Sequence, residues 1–253
     1  MSSLDNLIDL FNKTSKHSNY QVLSERLTNL IGPGSIDVTS RFERERFEYI
    51  RTRVSLAGMR VLDIGGNTGF FSFEALEAGA IAVHHFEGEP SHSAFVLEAS
   101  DVLGYASKVE VTNAYYLFPE SGNRRYDVTF LLNVLHHLGD DYGDKKISID
   151  GAKDMMARQL RSMANSTHTL VFQLGFSWKG NRNLGLFENG TKAELIDFVT
   201  SASMGEFEIE HCGIPVKIGD KIVYSDLDDV NVIRNDSLGE FLNRPLFIMR
   251  AVS

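Results

Sequence analysis

From residue 57 onward the chain alternates short apolar runs with segments of helical period, and that alternation restricts the fold more than any other feature of the sequence. MRVLDIGG, IAVHHFEG, KVEVTNA, YDVTFLLNVL and HTLVFQLGF have strand length and are rich in branched or aromatic residues. TGFFSFEALEAGA, HSAFVLEASDVLG, AKDMMARQLRSMA and TKAELIDFVTSA carry apolar residues at helical spacing. Strands joined through helices pair in parallel by crossing a sheet face, with right-handed crossovers. The expectation is a doubly wound α/β domain over residues 57–253, with a mostly parallel, seven-stranded sheet covered on both faces. Its last two strands, FEIEHCGIPV and PLFIMRAV, have no helix between them and predict an antiparallel C-terminal edge hairpin, interrupted by the polar stretch 217–243. Residues 1–56 read as an N-terminal helical cap or lid. LDNLIDLFN is amphipathic, RFERERFEYIRTRV spaces Phe47, Ile50 and Val54 by three and four, and IGPGSIDVTS breaks the two.

Composition removes several alternatives. With 253 residues, 43% apolar and 23% charged, the chain can bury a full α/β core, and it carries no low-complexity tract or internal repeat. The 25 Lys and Arg against 34 Asp and Glu give a formal net charge of −9, which opposes the broad phosphate neutralisation behind nucleic-acid binding. Nucleic acid is therefore not expected as a partner. The opening segment, MSSLDNLIDLFNKTSK, contains Asp5 and Asp9 and no apolar run, so it does not read as a signal peptide. No stretch approaches the ~20 apolar residues of a membrane span, and a cytoplasmic protein without a membrane partner is expected. Cys212 is the only cysteine, which excludes an intrachain disulfide and a thiolate metal cluster, and it reads as a small buried apolar residue. Oligomeric state stays open, with a homodimer among the options.

In a doubly wound sheet the ligand lies beyond the carboxyl ends of the strands, and the first strand-to-helix turn approaches it most closely. Here that turn is RVLDIGGNTGFF, where Gly65, Gly66 and Gly69 allow a tight bend. A dinucleotide loop reads G-x-G-x-x-G, but the third and sixth positions counted from Gly65 are Asn67 and Phe70, which disfavours NAD and FAD. A phosphate-binding Walker loop fails as well, because no G-K-[ST] follows.

The stretch closely resembles the first motif of class I S-adenosylmethionine (SAM)-dependent methyltransferases, D-x-G-x-G-x-G. Asp63, Gly65 and Gly69 match it, and Asn67 replaces the middle glycine. Asn tolerates positive φ better than other residues with a side chain, so the loop accommodates the change. The D-x-G-x-N-x-G variant is also similar to that of FkbM-like sugar O-methyltransferases, a resemblance that fades after the second strand. The family implies a carboxylate at the end of that strand, about 20 residues after the glycine loop, to take the ribose hydroxyls. HHFEGEP supplies Glu87 there, with Glu89 as the second choice. His84 and His85, inside the strand, read as packing or surface residues. In KVEVTNAYYLFPE, Asn113 and Ala114 stand where the family often has G-D-A-x-x-L-P, and the Asn113 carbonyl can accept the adenine amino group. YDVTFLLNVLHHLGDD is similar to the family's fourth-strand segment, with Asp127, Asn133, His136 and His137 in matching positions. The four signals come in order and cover about residues 55–175. They imply cofactor contacts from Asp63, Gly65, Gly66, Asn67, Gly69, Glu87, Asn113, Ala114 and Asn133.

Methyl transfer is an in-line displacement in which the enzyme orients a nucleophile and excludes water. A hydroxyl acceptor also gains from losing its proton, and imidazole suits that task at neutral pH. His137 is favoured over His136 as the base. Asp140, Asp141 and Asp144 read as a solvated loop, and no metal is expected. The expected acceptor is a small molecule or glycan hydroxyl, met by the cap, including Arg41, Arg44 and Arg46, and by the segment after the fifth strand with Gln173, Trp178, Lys179, Asn181 and Arg182. The alternatives are N-methylation of RNA or protein, which the missing N-P-P-Y-type motif and the acidic charge weaken, and a SAM-binding regulatory protein without chemistry.

Overall fold

Val61, Leu62 and Ile64 of β1 (Arg60–Ile64), Val128, Phe130 and Leu131 of β4 (Tyr126–Leu132) and Leu170, Val171 and Phe172 of β5 (Thr167–Gln173) are all buried. Consecutive strand residues point to opposite faces, so runs of this kind need apolar cover on both sides. The structure, a computed structural model, describes residues 3–13, 19–122 and 125–252. It divides into two compact units, Met1–Tyr116 and Leu117–Ser253.

In the first unit, β1, β2 (Ala82–Phe86) and β3 (Val109–Thr112) pair in parallel in the order β3-β2-β1, and the register sets Asp63 beside His85. Helices α4 (Phe70–Glu77) and α5 (Pro90–Leu103) make the crossovers. The N-terminal helices α1 (Ser3–Phe11), α2 (Glu25–Ile31) and α3 (Glu43–Arg51) share this unit's core. Phe11 of α1 meets Phe95 of α5 edge-on at 5.7 Å between ring centres, and Phe47 of α3 meets Phe70 of α4 at 6.3 Å.

In the second unit, α6 (Ile149–Ser162) carries the chain from β4 to its parallel neighbour β5. After α7 (Lys192–Ser203) come β6 (Phe207–Ile218), β7 (Lys221–Asp226) and β8 (Leu246–Ala251), and the order is β4-β5-β8-β6-β7. Every contact of β8 and β7 is antiparallel. The α/β class and the antiparallel C-terminal strands match the sequence expectation, with two corrections. Eight strands stand among the described residues rather than seven, because the stretch 217–243, read as a polar interruption, contains β7. Its turn is the two-residue Gly219–Asp220 loop closed by the Ile218–Lys221 pair, and the φ of 62° at Gly219 suits the turn types that join twisted strands. β4 also stops at Leu132, short of the apolar Val134 and Leu135, because Asn133 turns into the left-handed region at φ 62°. No helix is long and apolar enough to cross a membrane among the described residues.

Helix α7 begins with a reciprocal cap. The Thr191 hydroxyl accepts from Glu194 N–H, and the Glu194 carboxylate accepts from the backbone N–H groups of Thr191 and Asn189. Those backbone donors, Thr191 first, hold the Glu194 carboxyl down to about 2. The ionised form is therefore favoured in the fold, and its contribution is present above the ordinary carboxylate range and lost as pH falls toward 2. Replacing Glu194 by Gln is expected to flatten the acid side of the stability–pH curve and leave it unchanged in slope near neutrality, as read by urea unfolding at stepped pH. An unaltered acid limb would remove this role.

Candidate functional site

The turn after β1 is built from three left-handed residues. Gly65, Asn67 and Gly69 have φ of 67°, 53° and 82°. Asn67 suits that conformation, and its side-chain oxygen accepts from the next backbone N–H, on Thr68, at 2.8 Å. The Gly65 and Gly66 N–H groups donate to Phe86 O, which ties the turn to the end of β2. At Gly66 an added Cβ would lie 2.4 Å from His85 Cε1 and 2.7 Å from Asp63 Oδ2, so only glycine fits. Gly69 is the N-cap of α4 but offers no side chain to the helix. Gln21 from the N-terminal segment fills that role, its Oε1 accepting from Phe70 N–H at 3.0 Å and from the Thr68 hydroxyl at 3.2 Å. The sequence carried no local signal for Gln21, which lies 49 positions from Phe70.

Glu87 follows β2 and faces the loop. Oε2 accepts from Asn67 N–H and Oε1 from Glu89 N–H, both at 2.8 Å. Each carboxylate oxygen has a second acceptor direction to offer after taking one N–H. Glu89, the alternative acid, is used as the N-cap of α5 through Ser91. Asn113 donates its Nδ2 to Glu87 O at 2.9 Å and to Ser93 Oγ at 3.1 Å. The Glu87 carbonyl can only accept, so the Asn113 amide must present its nitrogen there and keep Oδ1 as an outward acceptor. Ala114 beside it spends its N–H on Thr112 O and is exposed. Tyr115 lies on the backbone of Gly88, where a Cβ would come within 2.5 Å of the ring. His84 bonds Thr112 Oγ1 at 2.8 Å and stacks on Phe86, a packing role.

The second unit gathers Asn133, His136 and His137 at the end of β4. Asn133 donates to the Gln173 side chain at 2.9 Å and accepts from Arg244 Nη1 at 2.7 Å, and its N–H reaches Gln173 O. Arg244 is gripped by both oxygens of Glu240, a charge-assisted fork. Burial alone would push the Glu240 carboxyl up, but Arg244 and the Phe176 N–H outweigh it and hold the group below its ordinary value. The Asn133 contact to Arg244 spans 111 positions, and neither Arg244 nor Glu240 showed any pattern in the sequence.

The two histidines differ. Gly175 N–H donates to His136 Nδ1 at 3.3 Å, which occupies that lone pair and puts the proton on Nε2. His137 Nδ1 lies 3.1 Å from Asp141 Oδ2. The contact is an ion pair when the imidazole is protonated. Trp178 is buried, and its indole N–H donates to Leu138 O at 2.7 Å, so the ring braces the histidine turn as a packing residue. The ligand atoms of His137, Asp140 and Asp141 also lie within 4.8 Å of one another, close enough to hold a cation.

No family model matches the sequence, and no curated protein matches it. Solved structures do. A structure of WbdD aligns with 96% of this chain at a TM-score of 0.62 and 15% identity, and the chain spans 40% of that protein. A candidate RNA methyltransferase from Pyrococcus horikoshii aligns over the whole of both chains at a TM-score of 0.51 and 15% identity. The [4+2]-cyclase SpnF aligns over 82% of this chain and 80% of its own at a TM-score of 0.51 and 13% identity. The chain thus has the class I methyltransferase fold. At such identities the likeness extends to the fold alone.

The Gly66 packing has a measurable consequence. Gly66→Ala is expected to cost about 1–3 kcal/mol of unfolding free energy, the range for overpacking a tight site, as measured by urea denaturation. A neutral substitution would mean the loop is not held against His85 and Asp63.

Proposed function

We propose that this chain is a SAM-dependent methyltransferase that methylates a hydroxyl of a small molecule or glycan. The observation that carries the reading is Glu87, whose two oxygens are pinned by the Asn67 and Glu89 N–H groups and keep acceptor directions for a vicinal diol. A ribose presents such a diol. Asn113 Oδ1 supplies a neutral acceptor for the adenine amino group, and Gly65, in the left-handed region, bends the loop tightly enough for its backbone to approach the nucleoside. When bound, SAM supplies a methyl carbon already activated by a sulfonium.

The remaining work falls to this chain's residues. His137 takes the acceptor hydroxyl's proton as the carbon–oxygen bond forms and the sulfonium's carbon–sulfur bond breaks to leave a neutral thioether, and Asp141, 3.1 Å from Nδ1, pairs with the resulting imidazolium. His136, protonated on Nε2 and bonded through Nδ1, serves as a donor and not as the base. The hydroxyl acceptor is preferred over nitrogen because a base of this kind is required where an O–H must be deprotonated.

Titration calorimetry with SAM, and with NADH in parallel, tests the cofactor. Wild type is expected to bind SAM in preference to NADH, and Glu87→Ala to bind SAM about 100-fold more weakly, as loss of two charge-assisted hydrogen bonds implies. His137→Ala is expected to keep wild-type SAM affinity and to lose about 10²–10⁴ in methyl transfer, followed with methyl-labelled SAM and mass spectrometry of the product. Preference for NADH overturns the cofactor, and undiminished transfer by His137→Ala overturns the base.

A further inference from the structure

We propose that Ser72 and His85 are positioning residues of the cofactor cradle, fixing the Asp63 carboxylate beneath the glycine loop through a one-way chain of hydrogen bonds. The inference rests on the SAM reading above.

Three elements of the first unit bring the groups together. Asp63 is the last residue but one of β1, His85 is its register partner on β2, and Ser72 stands in the first turn of α4. Register partners in a parallel pair point to the same face, which puts the imidazole beside the carboxylate. Ser72 Oγ is 2.7 Å from Asp63 Oδ2 and 3.0 Å from His85 Nδ1. A hydroxyl has one proton to give. The carboxylate takes it, so Ser72 must accept from His85, whose Nδ1 carries the proton donated. Every polarity in the chain is then settled, from His85 to Ser72 to Asp63.

The cost of this arrangement points to its use. Ser72 and His85 are completely shielded from solvent and Asp63 nearly so. His85 Nε2 is buried without a hydrogen-bond partner among the described residues. An orphaned buried nitrogen lowers stability, and an aromatic hydrocarbon of similar size would avoid the loss. A packing role alone does not call for imidazole here. The ring instead forms the floor of the loop: a Gly66 Cβ would lie 2.6 Å from Nδ1 and 2.7 Å from Asp63 Oδ2. Rotation of either group would press on the loop backbone, so the relay sets the loop's height and the carboxylate's rotamer together.

The test pairs SAM calorimetry with thermal unfolding for wild type, Ser72→Ala, His85→Phe and His85→Asn. Asn places an amide N–H close to where Nδ1 sits and can donate to Ser72. His85→Phe and Ser72→Ala are expected to weaken SAM binding about tenfold, the factor for the loss of one hydrogen bond. His85→Asn is expected to stay within about threefold of wild type at the same time. Nitrogen-15 NMR of the SAM-free protein should show a proton on His85 Nδ1, a result independent of the cofactor. Wild-type SAM affinity in Ser72→Ala and His85→Phe, or equal loss in His85→Asn and His85→Phe, overturns the positioning role, as does a His85 Nδ1 that carries no proton. A wild type that does not bind SAM at all overturns instead the functional reading beneath it.

Discussion

The Glu87 carboxylate, held between two backbone amides, is the interaction on which the first unit's site depends. Asn67 N–H belongs to the loop after β1 and Glu89 N–H to the entry of α5, so one side chain joins two strand-to-helix turns. It does so with charge-assisted bonds, the stronger kind, and without exhausting its acceptors. The Asn113 amide reads the same strand end through Glu87 O and is oriented by it. A site assembled in this way is preorganised: its polar groups are aimed before any ligand arrives, which lowers the ordering cost of binding.

The second unit reaches a comparable rigidity by different means. A half-buried Arg244–Glu240 fork reaches Asn133 and, through Glu240, the Phe176 amide, so the ends of β4 and β5 are fixed from a segment just ahead of β8. The same strand ends position the histidine turn, with Gly175 on His136 and Trp178 on Leu138. Partner chemistry then separates the two imidazoles. An amide N–H donates to His136 Nδ1 and a carboxylate faces His137 Nδ1, although the residues are adjacent and their rings lie 4.4 Å apart.

Much of this was legible because local chemistry dictates it. The apolar runs of β1, β4 and β5 announce doubly covered strands, and the glycines and Asn67 announce left-handed turns where the structure has them. Glu87 was marked by its place at a strand end. What the sequence hid was nonlocal or short. The strand β7 has six residues inside a polar stretch, and only the short Gly219–Asp220 turn separates it from β6. Gln21, Arg244 and Glu240 act over tens of positions, and no periodicity foretells such contacts. His85 read as packing, because a single sequence cannot show that Ser72 and Asp63 face it from two other elements.

The central claim is that Glu87 binds the ribose of a nucleoside cofactor, and a crystal structure of the protein soaked with S-adenosylhomocysteine tests it most directly. Both ribose hydroxyls should lie within hydrogen-bonding distance of the Glu87 oxygens, with the Asn67 and Glu89 amides still in place. A nucleoside lodged elsewhere, or a Glu87 turned away from it, would contradict the account.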